Sequence, residues 1–246
     1  MRAIRRSVLA LCLPVLALAL VAAPGHGPAL SAQNDEVTYD FYISGIRAGQ
    51  LTVSSQTNGT RYAAAGQVSS GGIIGAFARF AFDGRSEGAI ADGGTVVPSR
   101  FVAESTSPRA KRRTEIEWRD GVPVRVNVDP PRDTSPDPAR QGGTLDPVSA
   151  SYVLLRDRPA AEICATEIDI FDGSRVTRIS LGKARSDAGS MICRGQIARI
   201  EGEAQSFNGA RAYPFQLVYR DAGGMARLQR VEAPTSFGRA VLERRG

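Results

Sequence analysis

The chain has 246 residues, 42% hydrophobic and 23% charged, with 26 Gly, 14 Pro, 3 Cys and a formal net charge of +6. That composition excludes a disordered, collagenous or disulfide-dense protein. Its one histidine, His26, lies in a segment read below as a cleaved leader. The working chain is therefore expected to lack imidazole, which excludes Ser-His-Asp and Cys-His nucleophiles, histidine bases and histidine-ligated metals.

Arg2, Arg5 and Arg6 precede an uncharged run from Val8 to Ala23, rich in Leu and Ala and broken by Pro14. Pro24, Gly25, His26, Gly27 and Pro28 follow. This layout predicts a signal peptide over residues 1–32, a mature start near Gln33 and a periplasmic location. The run is short for a membrane span and carries a proline, which disfavours a retained anchor. Cys12 sits mid-run after bulky Leu11 and does not suit a lipoprotein cysteine. The leader takes three arginines and no acid with it, so the mature chain, expected to be soluble, keeps a mild positive charge. Such a charge spread along the chain is no nucleic-acid footprint, and no nucleic-acid partner is expected.

Strands are predicted at 37–44, 48–56, 60–69, 76–90 and 96–106. Asn58-Gly59, Asp83-Gly84, Asp92-Gly93, Asp120-Gly121, Asp172-Gly173 and Asn208-Gly209 read as tight turns, because such pairs adopt positive φ readily. Arg109, Lys111, Arg112 and Arg113 form the one basic cluster. It reads as a solvated strand end or loop, or as a weak contact to an anionic surface such as lipid headgroups. Thr114 to Glu117 and Val122 to Val128 flank Trp118-Arg119-Asp120-Gly121 as a hairpin, with Val122, Val124, Val126 and Val128 expected on one buried face.

Residues 129–146 hold Pro130, Pro131, Pro136, Pro138, Gly142 and Gly143. They read as a long surface loop within a single β-rich domain, 33–246, rather than as a linker between two domains. Asp146 followed by Pro147 predicts a helix start, and Val148, Tyr152 and Leu155 give it one apolar face up to Pro159. A shorter helical turn is predicted over Gly71 to Phe77. Cys164 and Cys193 read as a structural disulfide between neighbouring strands rather than a redox pair, which is usually close in sequence. The loop length corresponds to roughly 3.5 kcal/mol in the chain-entropy treatment. Further strands are predicted on both sides of Asp172-Gly173, at 191–204, around Phe215 to Tyr219 and around Leu228 to Val231, and at 237–244. So many short strands cannot stay flat. The fold class is mainly β: a curled antiparallel sheet, part-barrel or β-spiral, with one helix packed on it.

Tyr39-Asp40-Phe41-Tyr42-Ile43-Ser44-Gly45-Ile46-Arg47-Ala48-Gly49, the Asp146-Pro147-Val148-Ser149-Ala150 helix start, Phe171-Asp172-Gly173-Ser174-Arg175, Cys193 and Tyr213-Pro214-Phe215-Gln216-Leu217 together form a pattern. It resembles the proteobacterial secreted proteins of domain-of-unknown-function family 3108 over nearly all of 36–243. The resemblance implies a periplasmic curled sheet. It brings no reaction and no catalytic residues.

The residues themselves offer little chemistry. Glu115 with Glu117, and Glu167 with Asp169, are the paired carboxylates suited to acid–base work; the competing reading is the solvent face of a strand. Gly71-Gly72-Ile73-Ile74-Gly75 lacks the lysine of a phosphate loop and reads as a bend. Tyr39, Tyr42, Tyr62, Phe101 and Trp118 read as core or as a cavity lining. No catalytic, cofactor or metal residues are assigned. The expected function is an exported, non-enzymatic envelope protein that binds a partner protein or supports envelope integrity. The alternatives are a carrier of a lipid-like ligand in the curled sheet and a carboxylate glycan hydrolase.

Overall fold

The computed structural model describes residues 33–245 apart from 73–74, 76–78, 109, 133 and 203–211. Strands β1 (Gln33–Ile43), β2 (Ile46–Thr57), β3 (Arg61–Ser70), β4 (Ala81–Ala91), β5 (Thr95–Thr106), β6 (Lys111–Arg119) and β7 (Val122–Asp129) form an antiparallel meander. After helix α1 (Pro147–Leu155) come β8 (Arg158–Pro159), β9 (Glu167–Phe171), β10 (Arg175–Leu181), β11 (Arg185–Asp187), β12 (Ser190–Gly202), β13 (Ala212–Ala222), β14 (Met225–Thr235) and β15 (Gly238–Arg244). The sheet order is β7-β6-β5-β4-β3-β2-β1-β15-β14-β13-β12-β10-β9, with β11 added to β12 and β8 to β14. The first and last strands thus pair at its middle, Tyr39 opposite Arg244 and Ile43 opposite Ala240.

The sheet is not closed into a barrel by a ladder between β7 and β9. The connecting chain joins them instead. Gly143 N–H donates to the Gly121 carbonyl at the β6–β7 turn, and Leu145 exchanges backbone bonds of 2.9 and 2.8 Å with β9. Gln141, Thr144, Leu145 and Asp146 are buried. The last third of the Pro/Gly-rich stretch is therefore an inner seam, not a surface loop. Its polar backbone is satisfied by strand edges that would otherwise be bare.

Alternation sets the two faces. On β6, Thr114, Ile116 and Trp118 are buried while Glu115 and Glu117 are not. Tyr39, Tyr62, Phe101, Ile116, Trp118, Phe171, Leu217, Tyr219 and Leu228 join one continuous core. Helix α1 lies within it. The single apolar face expected for this helix is too modest a description, since Val148, Ser149, Ala150, Tyr152, Leu154 and Leu155 are all buried. A helix apolar nearly all round belongs inside the sheet's curl.

Two expectations fail for local reasons. A β-bulge between Glu117 and Trp118 puts Pro123 opposite Trp118 and Arg125 opposite Glu117, so Val124 is extruded and 52% exposed. The four valines therefore do not share a buried face. Asp83-Gly84 is no turn either; it lies in mid-β4, opposite Gln67 and Gly66. Its glycine serves close approach: a Cβ on Gly84 would stand 2.7 Å from the Phe82 ring and 2.9 Å from Val148 Cγ2 of the helix. Asn58-Gly59, Asp92-Gly93, Asp120-Gly121 and Asp172-Gly173 do occupy turns with positive glycine φ. Asn208-Gly209 lies outside the described residues, as does most of the helical turn expected at 71–77.

Cys164 and Cys193 form the disulfide, with Cα atoms 5.6 Å apart. Only Cys193 is on a strand. Cys164 lies in the β8–β9 connection, so the bridge ties that connection to β12 rather than strand to strand.

The glycines under the helix give a paired test. The Cβ of Gly66→Ala would be 3.6 Å from Val148 Cγ2, an ordinary contact, and the variant is expected to be within about 1 kcal/mol of the parent. Gly84→Ala must displace Phe82 or the helix and is expected to cost about 1–3 kcal/mol. Urea unfolding of both variants measures the contrast.

Candidate functional site

A buried polar cluster holds the helix to the sheet. Asp146 has no exposed surface and caps α1, its Oδ1 accepting the Val148 and Ser149 N–H groups at 2.8 and 2.9 Å. A helix inside a core needs such a cap, because its first N–H groups have neither intrahelical partner nor water. Oδ2 contacts the hydroxyls of Ser149 and of Ser86 on β4, the latter at 2.7 Å. Ser86 Oγ and Ser149 Oγ lie 2.8 Å apart, and the Tyr62 hydroxyl on β3 is 2.7 Å from Ser149 Oγ. The Tyr62 ring stacks on Tyr152 with centroids 5.4 Å apart.

Both serine hydroxyls donate to Asp146 Oδ2, and the Tyr62 hydroxyl also reaches Ser86, at 3.4 Å. Burial, the largest influence, raises the Asp146 carboxyl above its ordinary 3.8, against the pull of the Ser149, Ser86 and Val148 donors. Burial likewise pushes the Tyr62 hydroxyl up to about 12. The cluster is closed and fully bonded, which suits holding rather than reacting.

The other face of β1–β6 is open. It forms a trough of about 1120 Å³, larger than most small-molecule pockets. Ala63, Ala65 and Ser54 give it a shallow floor, and Glu36, Asp83, Arg85, Glu87, Arg100, Glu104 and Arg113 provide charge around that floor. Cross-strand register explains the array. Glu36, Ser54, Ala65, Arg85 and Val102 lie side by side across five strands, next to the row Asn34, Gln56, Ala63, Glu87 and Arg100. Small residues in the middle strand and long ones beyond it leave a depression. Arg113 bonds Glu104 at 3.1 Å and also Glu115, and Gln67 donates to Asp83 at 2.8 Å. Arg85 and Arg100 make no ion pair or side-chain hydrogen bond among the described residues.

The paired carboxylates read from the sequence do not form a reactive couple. Glu115 is held by Arg113 and Glu117 by Arg125, while Arg178 bridges Glu167 and Asp169. Each is a strand-face ion pair. The Asp172 carboxylate takes the N–H groups of Ser174 and Arg175, as turn chemistry demands. Asp83 instead takes the Gln67 amide, being in a strand. The basic cluster is divided by the strand: Lys111 and Arg113 pair with Glu104 on the outer face, Arg112 donates to the Pro130 carbonyl, and Arg109 lies outside the described residues. Tyr39, Tyr62, Phe101 and Trp118 are core, and Tyr42 is half-buried. Reading by sequence found Asp146 as a cap. It missed Ser86 and Ser149, whose only signal was small polar residues at inward positions, and it missed the trough, which exists only in cross-strand register.

A family described as "Protein of unknown function (DUF3108)" matches residues 37–188. No curated protein matches the chain. Among solved structures, a β-barrel-like protein of domain of unknown function DUF1849 from Brucella abortus is similar at 13% identity, with a TM-score of 0.47, over 85% of this chain and 94% of that one.

The Asp146 cluster makes a testable statement about pH. A carboxyl raised in the folded state keeps its proton after the unfolded chain has lost it. Its contribution is therefore fully present below about pH 3.8 and declines as pH rises through the folded value. Asp146→Asn keeps the cap acceptor but does not titrate, and is expected to remove this decline. Asp146→Ala orphans the helix N–H groups and both serines, and is expected to cost about 2–4 kcal/mol at neutral pH. Urea unfolding across pH separates the two.

Proposed function

Since the chain belongs to the DUF3108 family, which is described by no reaction, we propose that it works outside the cytoplasm as a non-enzymatic envelope protein. Its β1–β6 trough holds an extended segment of a partner protein. The supporting observation is the trough itself, a depression of about 1120 Å³ with two arginines, Arg85 and Arg100, that lack an ion pair among the described residues. Both signs of charge, side-chain amides and hydroxyls, and a floor of alanine and serine suit a polypeptide better than an apolar ligand. Residues 1–32 act as the signal peptide in this reading, and the Cys164–Cys193 disulfide fits an oxidising compartment.

The carrier alternative needs apolar space on the concave face. That face is occupied by α1 and by the core side chains packed around it, while the trough is polar. The hydrolase alternative needs a free carboxylate couple, and the couples suggested by sequence are engaged by arginine.

Native mass spectrometry of protein purified from the periplasmic fraction tests the proposal. The expected species has a mature start near Gln33 and carries a second polypeptide that is lost on combining Arg85→Glu with Arg100→Glu. An intact leader on cytosolic protein would refute export. A lipid adduct retained by the double variant would favour the carrier instead.

A further inference from the structure

The end of the β13–β14 hairpin holds a second concavity, independent of the trough. It is about 190 Å³ in volume and is lined by Arg220, Ala222, Arg227, Gln229 and Arg244. That is room for one tetrahedral oxyanion and the start of its substituent, but not for a drug-sized ligand.

Three features of the fold build it. Arg220 on β13 lies directly opposite Arg227 on β14, an arrangement of like charges that opposes pairing. A β-bulge between Val218 and Tyr219 leaves Gln229 without a register partner, and bulges re-aim the side chain they carry. Arg244 arrives from β15. Asp157, just after the helix, accepts from Arg244 Nη1 at 2.7 Å and from Arg227 Nε at 3.0 Å.

Asp157 does not neutralise this group; it orients it. One carboxylate stands against three guanidiniums. It takes one nitrogen from each of two arginines, leaving the other Nη groups of Arg227 without a partner among the described residues. Arg220 makes no ion pair or side-chain hydrogen bond among those residues. The neighbouring Asp221 faces the turn, where it accepts the Gly224 N–H at 2.8 Å. Guanidinium forks match the oxygens of phosphate in paired bonds, and Arg is the residue suited to that geometry.

We propose that this concavity binds a phosphate-type oxyanion, a phosphomonoester or phosphodiester group, through Arg220, Arg227 and Arg244 with Gln229 as a neutral donor. The same chemistry is offered by a soluble phosphate compound and by a phospholipid headgroup.

The test is a titration of the purified protein with inorganic phosphate at constant ionic strength, chloride being the control. It is read from the arginine side-chain N–H signals by NMR. Saturable binding is expected, weakened about tenfold or more in Arg220→Gln, because a bond to a charged group is lost. Arg220 is exposed, so this variant should unfold at the parent's temperature, which is measured alongside. Cosedimentation with phosphatidylglycerol vesicles, absent with phosphatidylcholine alone and lost in Arg220→Gln, identifies the headgroup as the source. Phosphate binding without such cosedimentation identifies a soluble phosphate compound. Phosphate that binds no better than chloride, or equally well to the parent and to Arg220→Gln and Arg227→Gln, overturns the proposal.

Discussion

The structure depends on the burial of a nine-residue helix inside a curled sheet. A helix with water on one side can leave its terminal N–H groups to solvent; this one cannot. Asp146 supplies the acceptor. A carboxyl with no exposed surface must itself be satisfied, which calls for Ser149 on the helix and Ser86 on β4, and through Ser149 for Tyr62 on β3. One capping requirement therefore propagates into two strands. It also dictates a flat place on the sheet: Gly66 and Gly84 sit where Val148 approaches.

The same burial divides the sheet's labour. Its concave side is occupied by α1, Tyr152 and the aromatic core, so the open trough lies on the other side. There, alternation delivers charged and small residues in turn. The β1–β6 outer face has a depression because β3 contributes Ala63 and Ala65, with Ser54 beside Ala65, while Gln56, Arg85 and Glu87 stand as longer neighbours. The seam residues 141–145 complete the inner compartment by engaging both the β6–β7 turn and β9, a role that a backbone ladder would otherwise fill.

Much of this fold was legible. Period-two alternation located the long strands, the Asp146-Pro147 start located the helix, and two cysteines implied their bridge. What sequence could not provide is anything that depends on a partner strand. Asp83-Gly84 has turn chemistry but lies in a strand, because a glycine also serves where a helix must come close. Val124 has the right parity for burial, but a bulge at Trp118 shifts the register. Ser86 looks like a solvent-facing serine until β4 is placed beneath Asp146.

Charge illustrates the limit most sharply. The run from Arg109 to Arg113 is the one basic cluster along the chain, yet a strand sends successive side chains to opposite faces. Lys111 and Arg113 therefore meet Glu104 while Arg112 turns away to Pro130. Arg220, Arg227 and Arg244 are separated in sequence and unremarkable there. Antiparallel pairing sets the first two opposite each other, and Asp157 then draws Arg244 to the same place as Arg227. Adjacency in sequence disperses charge across a sheet, whereas register concentrates it. In this fold an electrostatic site has to be sought across strands rather than along them.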